Sequence, residues 1–226
     1  IGTSAFSDCS SLTELNFPDG ENIKFGIGGC SSLKSIRIPS NVTRLSLVGC
    51  SSLERIEIPT TVTTIVSNCF TGCSSLKEVV IPETAEIESV NSLFSGCTSL
   101  ERVVLPESVS TIGNSMFADC TSLKEITVSN KITAIGEKAF YNCSSLESFP
   151  LFNDTQIIHS SSFKGTKWYE SQPEGYVFIG NTLIGYNGEI AENTDLVIPE
   201  GTVCIAADAF NGNNNIVSVK IPESVI

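Results

Sequence analysis

The chain has 226 residues, of which 41% are hydrophobic, and a formal net charge of −12. This length is sufficient for one domain with a continuous core. The negative charge argues against binding to nucleic acid or docking on anionic lipid, because both attract basic protein surfaces. No stretch approaches the roughly 20 consecutive apolar residues that a membrane-spanning helix needs. We therefore expect a globular protein without direct membrane insertion and without a nucleic-acid partner.

Cysteines recur along the chain at a nearly constant spacing. The intervals are 21, 20, 23, 24, 23 and 23 residues, and most of the cysteines are followed by Ser or Thr, then Ser, then Leu. A fixed period in the twenties is typical of a solenoid, in which each repeat is a short coil that buries its apolar face only against its neighbours. The series consists of Cys9, Cys30, Cys50, Cys73, Cys97, Cys120 and Cys143.

Each repeat predicts one short strand and one buried aromatic residue. After Leu76, the apolar residues Val79 and Ile81 alternate with outward positions, and Pro82 then ends the strand because it lacks an N–H. An apolar residue followed by Phe closes each coil, and stacking of the coils predicts a column of these rings in the core. The pairs are Ala5-Phe6, Cys69-Phe70, Leu93-Phe94, Met116-Phe117, Ala139-Phe140 and Ala209-Phe210.

The recurring cysteines are expected to be buried free thiols. Neighbouring coils stack about 4.8 Å apart with parallel side chains, whereas a disulfide needs Cβ atoms about 3.8 Å apart that point together. No C-x-x-C pair is present to chelate zinc. In the last repeat Asn213 takes the place of the cysteine, which fits a structural position. We expect no metal and no cofactor.

An insertion interrupts the repeats between Cys143 and Asn213, where 70 residues replace about 23. Two apolar runs around Gly180-Asn181 predict a β-hairpin. The segment holds the only tryptophan and most of the tyrosines, and these aromatic side chains either bind a partner or pack the hairpin onto the solenoid. They are Trp168, Tyr169, Tyr176 and Tyr186.

The pattern C-[ST]-S-L-x-x-[IV]-x-[IL]-P, preceded by I-G-x-x-[AM]-F, resembles the BspA-like leucine-rich repeats of bacterial surface proteins. The resemblance implies an α/β-type solenoid: a leucine-rich-repeat right-handed β-solenoid of ~23-residue coils, mostly strand and turn, with the inserted hairpin near the C-terminus. It also implies secretion or attachment at the cell surface and binding to host or neighbouring-cell proteins. We expect one continuous domain with a solenoid over 1–152, the insertion over 153–198 and resumed repeats over 199–226. Both ends of the chain fall inside a repeat, so we expect the array to continue in the natural protein.

The outward positions of the strands predict a contact surface. Val80 and Val104 are expected side by side and exposed, in a small apolar patch rimmed by charged and polar residues. Around them the charges alternate in sign from strand to strand, so that these side chains either pair with one another or bind a ligand. The residues at the rim are Arg55, Glu57, Arg102 and Thr127.

No catalytic motif accompanies the repeats. His159 is the only histidine and has no motif around it, so we predict a non-enzymatic module. The leading hypothesis is binding to a protein partner, such as an extracellular-matrix or host surface protein, in adhesion. The alternatives are a structural spacer within a larger surface protein and a carbohydrate-binding module that uses Trp168 and its neighbouring tyrosines.

Overall fold

The computed structural model describes residues 5–15, 17, 23–149 and 157–226, and of residues 23–25 the backbone alone. About eight coils with a spacing near 23 residues stack along one axis. The strands are β1 (Ile23–Gly26), β2 (Ser35–Arg37), β3 (Val42–Ser46), β4 (Arg55–Glu57), β5 (Thr64–Ile65), β6 (Glu78–Val80), β7 (Glu86–Ile87), β8 (Arg102–Val104), β9 (Thr111–Ile112), β10 (Glu125–Thr127), β11 (Ala134–Ile135), β12 (Ile157–Ile158), β13 (Gly175–Ile179), β14 (Thr182–Asn187), β15 (Thr194–Val197), β16 (Cys204–Ile205) and β17 (Ile216–Lys220). Helical structure in the described residues is limited to a 3-10 turn, Ser160–Phe163, and one helix, α1 (Lys167–Glu170).

The strands that follow the cysteines form the front face of the solenoid. They pair in parallel as β2-β4, β6-β8-β10 and β15-β17. In β6 the outer residues Glu78 and Val80 are exposed while Val79 is fully buried, and β10 repeats this pattern. The predicted alternation of the repeat strand is therefore confirmed.

Shorter strands form the back face. They pair in parallel as β1-β3-β5-β7 and as β9-β11-β12. Val42 and Leu45 of β3, Ile65 of β5, Ile112 of β9, Ile135 of β11 and Ile158 of β12 are buried in the space between the two faces, and Ile87 of β7 is partly buried. The back-face strands thus close the core opposite the front face.

A column of phenylalanine rings fills the core. Phe94, Phe117 and Phe140 are fully buried, and their neighbouring ring centroids are 5.3–5.4 Å apart with interplanar angles of 2–6°. Phe70 precedes them and Phe163 follows them, each 5.2 Å from the next ring. This confirms the predicted column from Phe70 to Phe140 and extends it to Phe163, a residue outside the predicted apolar-Phe pairs. Phe6 is only partly buried against the same core, and Phe210 packs instead on the smaller core around Leu196 and Ile198.

The seven cysteines of the repeat series lie in a second column, and none of the nine cysteines forms a disulfide. Each buried thiol in the series donates to a backbone carbonyl one coil back: Cys97 Sγ lies 3.0 Å from Phe70 O, and Cys143 Sγ lies 3.0 Å from Phe117 O. The thiol therefore acts as a small apolar group and as a weak donor to a carbonyl of the preceding coil.

The residue before each cysteine has a left-handed backbone. Gly72 and Gly96 have φ of +73° and +75°, and Asp119 and Asn142 take the same place with φ of +62° and +59°. Glycine adopts this conformation without a steric penalty, and Asn and Asp tolerate it better than other residues. The position before each cysteine of the series is therefore restricted to Gly, Asn or Asp.

The insertion forms the predicted hairpin. β13 and β14 pair antiparallel around Gly180-Asn181, and the start of β14 also pairs in parallel with β16 of the resumed repeats. Residues 157–163 continue the coil stack, because β12 pairs with β11. The predicted boundary between residues 152 and 153 lies outside the described residues. No helix among the described residues is long and apolar enough to cross a bilayer.

Candidate protein-binding surface

The six predicted contact residues of the solenoid lie on the front face. Val80 of β6 is 49% exposed and pairs with Val104 of β8, which in turn pairs with Thr127 of β10. Arg102 lies two residues before Val104 on the same strand face, and Arg55 and Glu57 occupy the outer positions of β4. Val104 is only partly exposed, less than predicted, because β8 pairs with a strand on each side. The face therefore offers one exposed and one partly exposed apolar side chain beside charged groups.

Ion pairs join neighbouring strands on this face. Arg102 Nη1 lies 2.6 Å from Glu78 Oε1, and Arg102 Nε lies 3.7 Å from Glu125 Oε1. Lys124 Nζ lies 2.8 Å from Glu101 Oε2, and the hydrogen bond from this lysine lowers the pKa of the Glu101 carboxyl. The hydrogen bond to Glu78 likewise raises the pKa of the Arg102 guanidinium. Much of the alternating charge is therefore neutralised within the face.

A crevice opens between β4 and β6. These strands lie side by side but belong to separate sheets. The crevice is closed at one end where Lys77 N–H donates to Glu54 O at 3.3 Å, and at the other where the Thr84 hydroxyl donates to Thr60 O at 2.7 Å. Its volume is about 750 Å³. It is lined by Arg55, Ile56, Glu57, Ile58, Thr60, Lys77, Glu78, Val80, Pro82, Glu83 and Thr84.

A second crevice, of about 490 Å³, lies between the first described coil and β2. Leu15 and Phe17 line one side of it and Ile36 and Ile38 line the other. Glu57 borders both crevices. Both crevices thus lie toward the N-terminal end of the front face.

The aromatic residues at the start of the insertion pack against the core. The Trp168 ring meets Phe149 edge-on at 4.7 Å and Phe163 at 5.3 Å, and its backbone N–H donates to Leu146 O at 2.8 Å. Tyr169 is half-buried beside it, and burial raises the pKa of its hydroxyl. These contacts attach the insertion to the end of the phenylalanine column.

The other two tyrosines form a separate cluster. Tyr176 and Tyr186 meet edge-on at 5.5 Å, and the Tyr176 hydroxyl donates to Val197 O at 2.6 Å. Both pack on the smaller hydrophobic core around Leu196 and Ile198. The four aromatic side chains of the insertion are therefore divided between two packing sites, with no shared flat surface.

His159 links two coils through side chains that the sequence leaves far apart. Its Nδ1 lies 2.9 Å from Ser161 Oγ and accepts the Ser161 backbone N–H at 3.3 Å, so that Nε2 carries the proton and faces Asp208 Oδ2 at 3.3 Å. The Ser161 hydroxyl oxygen also accepts the Lys138 N–H at 3.2 Å. The arrangement caps the 3-10 turn Ser160–Phe163 and lines neither crevice. Its physical role is that of a helix cap and a tie between coils.

The described residues contain no group of three or more His, Cys, Asp or Glu side chains arranged to hold a metal ion. Sequence analysis predicted the positions of the contact residues on the strands but not the crevice, because a repeat period of about 23 residues predicts that every coil pairs with the next.

The parallel strands on two faces and the stacked coils define a leucine-rich-repeat solenoid. The family model for the BspA type leucine rich repeat region matches six copies, over residues 1–89, 46–170 and 188–226. The chain belongs to this family.

Solved structures of bacterial leucine-rich repeat proteins share the fold. A leucine-rich repeat protein from Bacteroides ovatus is 25% identical with a TM-score of 0.71, over 100% of this chain and 53% of its own. The leucine-rich repeat protein of T. pallidum is 24% identical with a TM-score of 0.51, over 65% of this chain and 70% of its own. The chain thus spans about half the length of the Bacteroides ovatus protein. A comparison with curated protein sequences gives no match.

Proposed function

We propose that the chain is a non-enzymatic module that binds a protein partner through the front face. The observation that carries the proposal is the pair of the exposed Val80 and the partly exposed Val104, held in register by β6 and β8. Apolar side chains surrounded by polar groups are the usual composition of a protein contact. Because the strands fix these side chains before binding, little conformational entropy is lost on association.

The partner we propose is a protein outside the cell, such as an extracellular-matrix or host surface protein, with adhesion as the biological role. Membership of the BspA-type family supports this proposal. With a net charge of −12, this chain has no broad basic surface to offer, so the proposed partner is one that does not need such a surface on this chain. The proposed location is the cell surface or the extracellular space.

The packing of Trp168 favours a protein over a carbohydrate. Sugar recognition through aromatic rings needs an open ring face, whereas Trp168 lies against Phe149 and Phe163. The alternative of a structural spacer is supported by the ion pairs of Arg102 and Lys124, which neutralise charges of the front face within it. Measurement of protein binding distinguishes the binding module from the structural spacer.

The test is a screen of immobilised extracellular-matrix proteins, with a glycan array beside it. The variant carries Val80→Ser, Arg102→Ser and Val104→Ser. A matched control carries Val48→Ser, Lys131→Ser and Ile157→Ser, three exposed positions that lie outside the front-face strands. Saturable protein binding that the variant loses and the control keeps would support the proposal. Absence of binding to every protein would favour the spacer.

A further inference from the structure

The hydrogen-bonded ladder of the front face is interrupted between β4 and β6. From β2 to β10, the described front strands pair continuously except at this step. At the next step, Ile81 directly follows β6, and its N–H donates to Val104 O of β8 at 3.0 Å. The equivalent bond, from Ile58 N–H to Val80 O, is absent among the described residues. Backbone groups of the two strands therefore border the crevice without the ladder that pairs the coils after it.

Opening this step also exposes apolar side chains that other coils bury. Ile81 and Leu105, which follow β6 and β8, are 2% and 3% exposed. The equivalent Ile58 is only partly buried, and so is Ile56 in the middle of β4. Together with the exposed Val80 they give the crevice an apolar floor that water covers in the free protein.

The same break leaves one cation without its expected partner. Along the outer column the charges run Arg55, Glu78, Arg102, and regular pairing would place Glu78 between the two arginines. Glu78 bonds Arg102 at 2.6 Å, while Arg55 has no ion pair within the described residues. Lys77, which lines the same crevice, likewise makes no direct ion pair there.

No carboxylate of the crevice makes an ion pair with Arg55 or Lys77 within the described residues. Glu83 Oε2 accepts the Glu107 backbone N–H at 2.9 Å, and Glu78 is held by Arg102. Glu57 lies on the opposite side of Ile56 from Arg55 along β4. The crevice therefore holds two cations that can pair with a further carboxylate, although its lining also carries three glutamates and the chain a net charge of −12.

We propose that this crevice docks an extended segment of the partner protein that carries a large apolar side chain next to a carboxylate. The apolar side chain covers Ile56, Ile58 and Val80, and the carboxylate pairs with Arg55 and Lys77. An apolar anchor seated in a pocket and flanked by a charge-assisted hydrogen bond is the arrangement that dominates binding energy in protein contacts. This inference rests on the proposed function and adds the chemistry of the partner.

The experiment selects peptides from a random twelve-residue display library against the whole chain. We expect the selected sequences to share Asp or Glu beside Leu, Ile, Phe or Trp. One selected peptide is then synthesised with capped ends, together with a version in which its acidic residue is replaced by Lys. Selection of no peptide, or of peptides without an acidic-apolar pair, would overturn the inference.

Fluorescence anisotropy with the two peptides then tests the charge. The Arg55→Glu variant should bind the acidic peptide at least about tenfold more weakly than the natural chain, and should bind the Lys version more tightly than the natural chain does. Lys131→Glu makes the same charge change on an exposed residue away from the crevice, and its affinities should stay within about twofold. Equal affinities of the natural chain and Arg55→Glu for the acidic peptide would contradict the inference. Far-UV circular dichroism verifies that both variants are folded.

The matrix-protein screen distinguishes failure of this inference from failure of the proposed function. If a matrix protein binds the natural chain and Arg55→Glu equally, while Val80→Ser/Arg102→Ser/Val104→Ser fails to bind, then the front face binds a partner outside the crevice and the inference is wrong. Sedimentation velocity tests whether a second copy of this chain occupies the crevice. Self-association that Arg55→Glu abolishes would assign the crevice to that copy and would also overturn the inference.

Discussion

The column of buried thiols predicts that the protein loses stability in mild alkali. Burial raises the pKa of the Cys50 thiol to about 11 and that of Cys143 to about 12. Burial also raises the pKa of the thiols between them in the stack well above the ordinary range: Cys69, Cys73, Cys97 and Cys120. In the unfolded chain a thiol has a pKa of about 8.5. Above that value the unfolded chain releases protons that the native state retains, so the free energy of unfolding falls as pH rises.

The magnitude follows from the number of thiols. Each one lowers the free energy of unfolding by about 1.4 kcal/mol for every pH unit between its unfolded and folded pKa. For the six buried thiols with strongly raised pKa, this amounts to about 8 kcal/mol per pH unit. The total stability of a typical domain is about 5–15 kcal/mol. We therefore expect the protein to be stable at neutral pH and to unfold without denaturant near pH 10.

Urea titrations at about pH 7.5, 9 and 10, in the presence of a phosphine reductant, measure this effect. Fluorescence of Trp168, the only tryptophan, and far-UV circular dichroism give two independent probes of unfolding. A variant with Cys97→Ala and Cys120→Ala removes two of the six thiols, so its loss of stability per pH unit should be smaller by about a third. An identical pH dependence in the variant and the natural chain, or a flat dependence up to about pH 10.5, would show that the thiols do not control alkaline stability.

Three further changes test the packing of the solenoid. Phe117→Ala should lower the free energy of unfolding by about 4–5 kcal/mol, because it leaves a cavity and removes two stacked ring contacts; a loss below about 1 kcal/mol in urea titration would contradict the column. With a thiol reagent at about pH 8, the native protein should react rapidly only at the exposed Cys9 and the partly exposed Cys204, whereas the urea-unfolded protein should titrate all nine thiols. His159→Ala should cost about 1 kcal/mol in thermal or urea unfolding by removing the cap of the 3-10 turn, and His159→Asn should restore much of it; equal losses in both would argue against capping.

The repeating parts of the fold were predictable because one local pattern is used in every coil. The Leu-x-x-Val-x-Ile alternation around Val79 fixes which residues of β6 point inward, and the same pattern fixes β8 and β10. The apolar-Phe pairs predict a ring column because coils of equal length bring equivalent residues into contact. The Gly180-Asn181 turn between two apolar runs likewise predicts the hairpin.

The features that sequence analysis missed depend on contacts between different coils. Phe163 continues the ring column although Ser162 precedes it, because Ser162 takes the buried position and its hydroxyl bonds the Gly136 and His159 carbonyls. The approach of His159 to Asp208 spans the insertion. Phe163 follows Phe140 by the same 23 residues that separate Phe94, Phe117 and Phe140, so the repeat spacing alone could have located it, whereas the separation of His159 from Asp208 has no counterpart among the repeats.

The front face differs between its regularly paired strands and the break between β4 and β6 in how far its charges are paired internally. On the paired strands β6, β8 and β10, Arg102 meets both Glu78 and Glu125. Such pairs stabilise the register of the coils but leave little charge for a ligand, because a partner would have to replace contacts that are already satisfied. At the break, Arg55 makes no ion pair within the part of the chain that the structure describes, and Ile58 is only partly buried. A partner segment there would gain a charge contact and an apolar contact without displacing existing ones, so the irregular step is the position on this face where binding opposes the least internal structure.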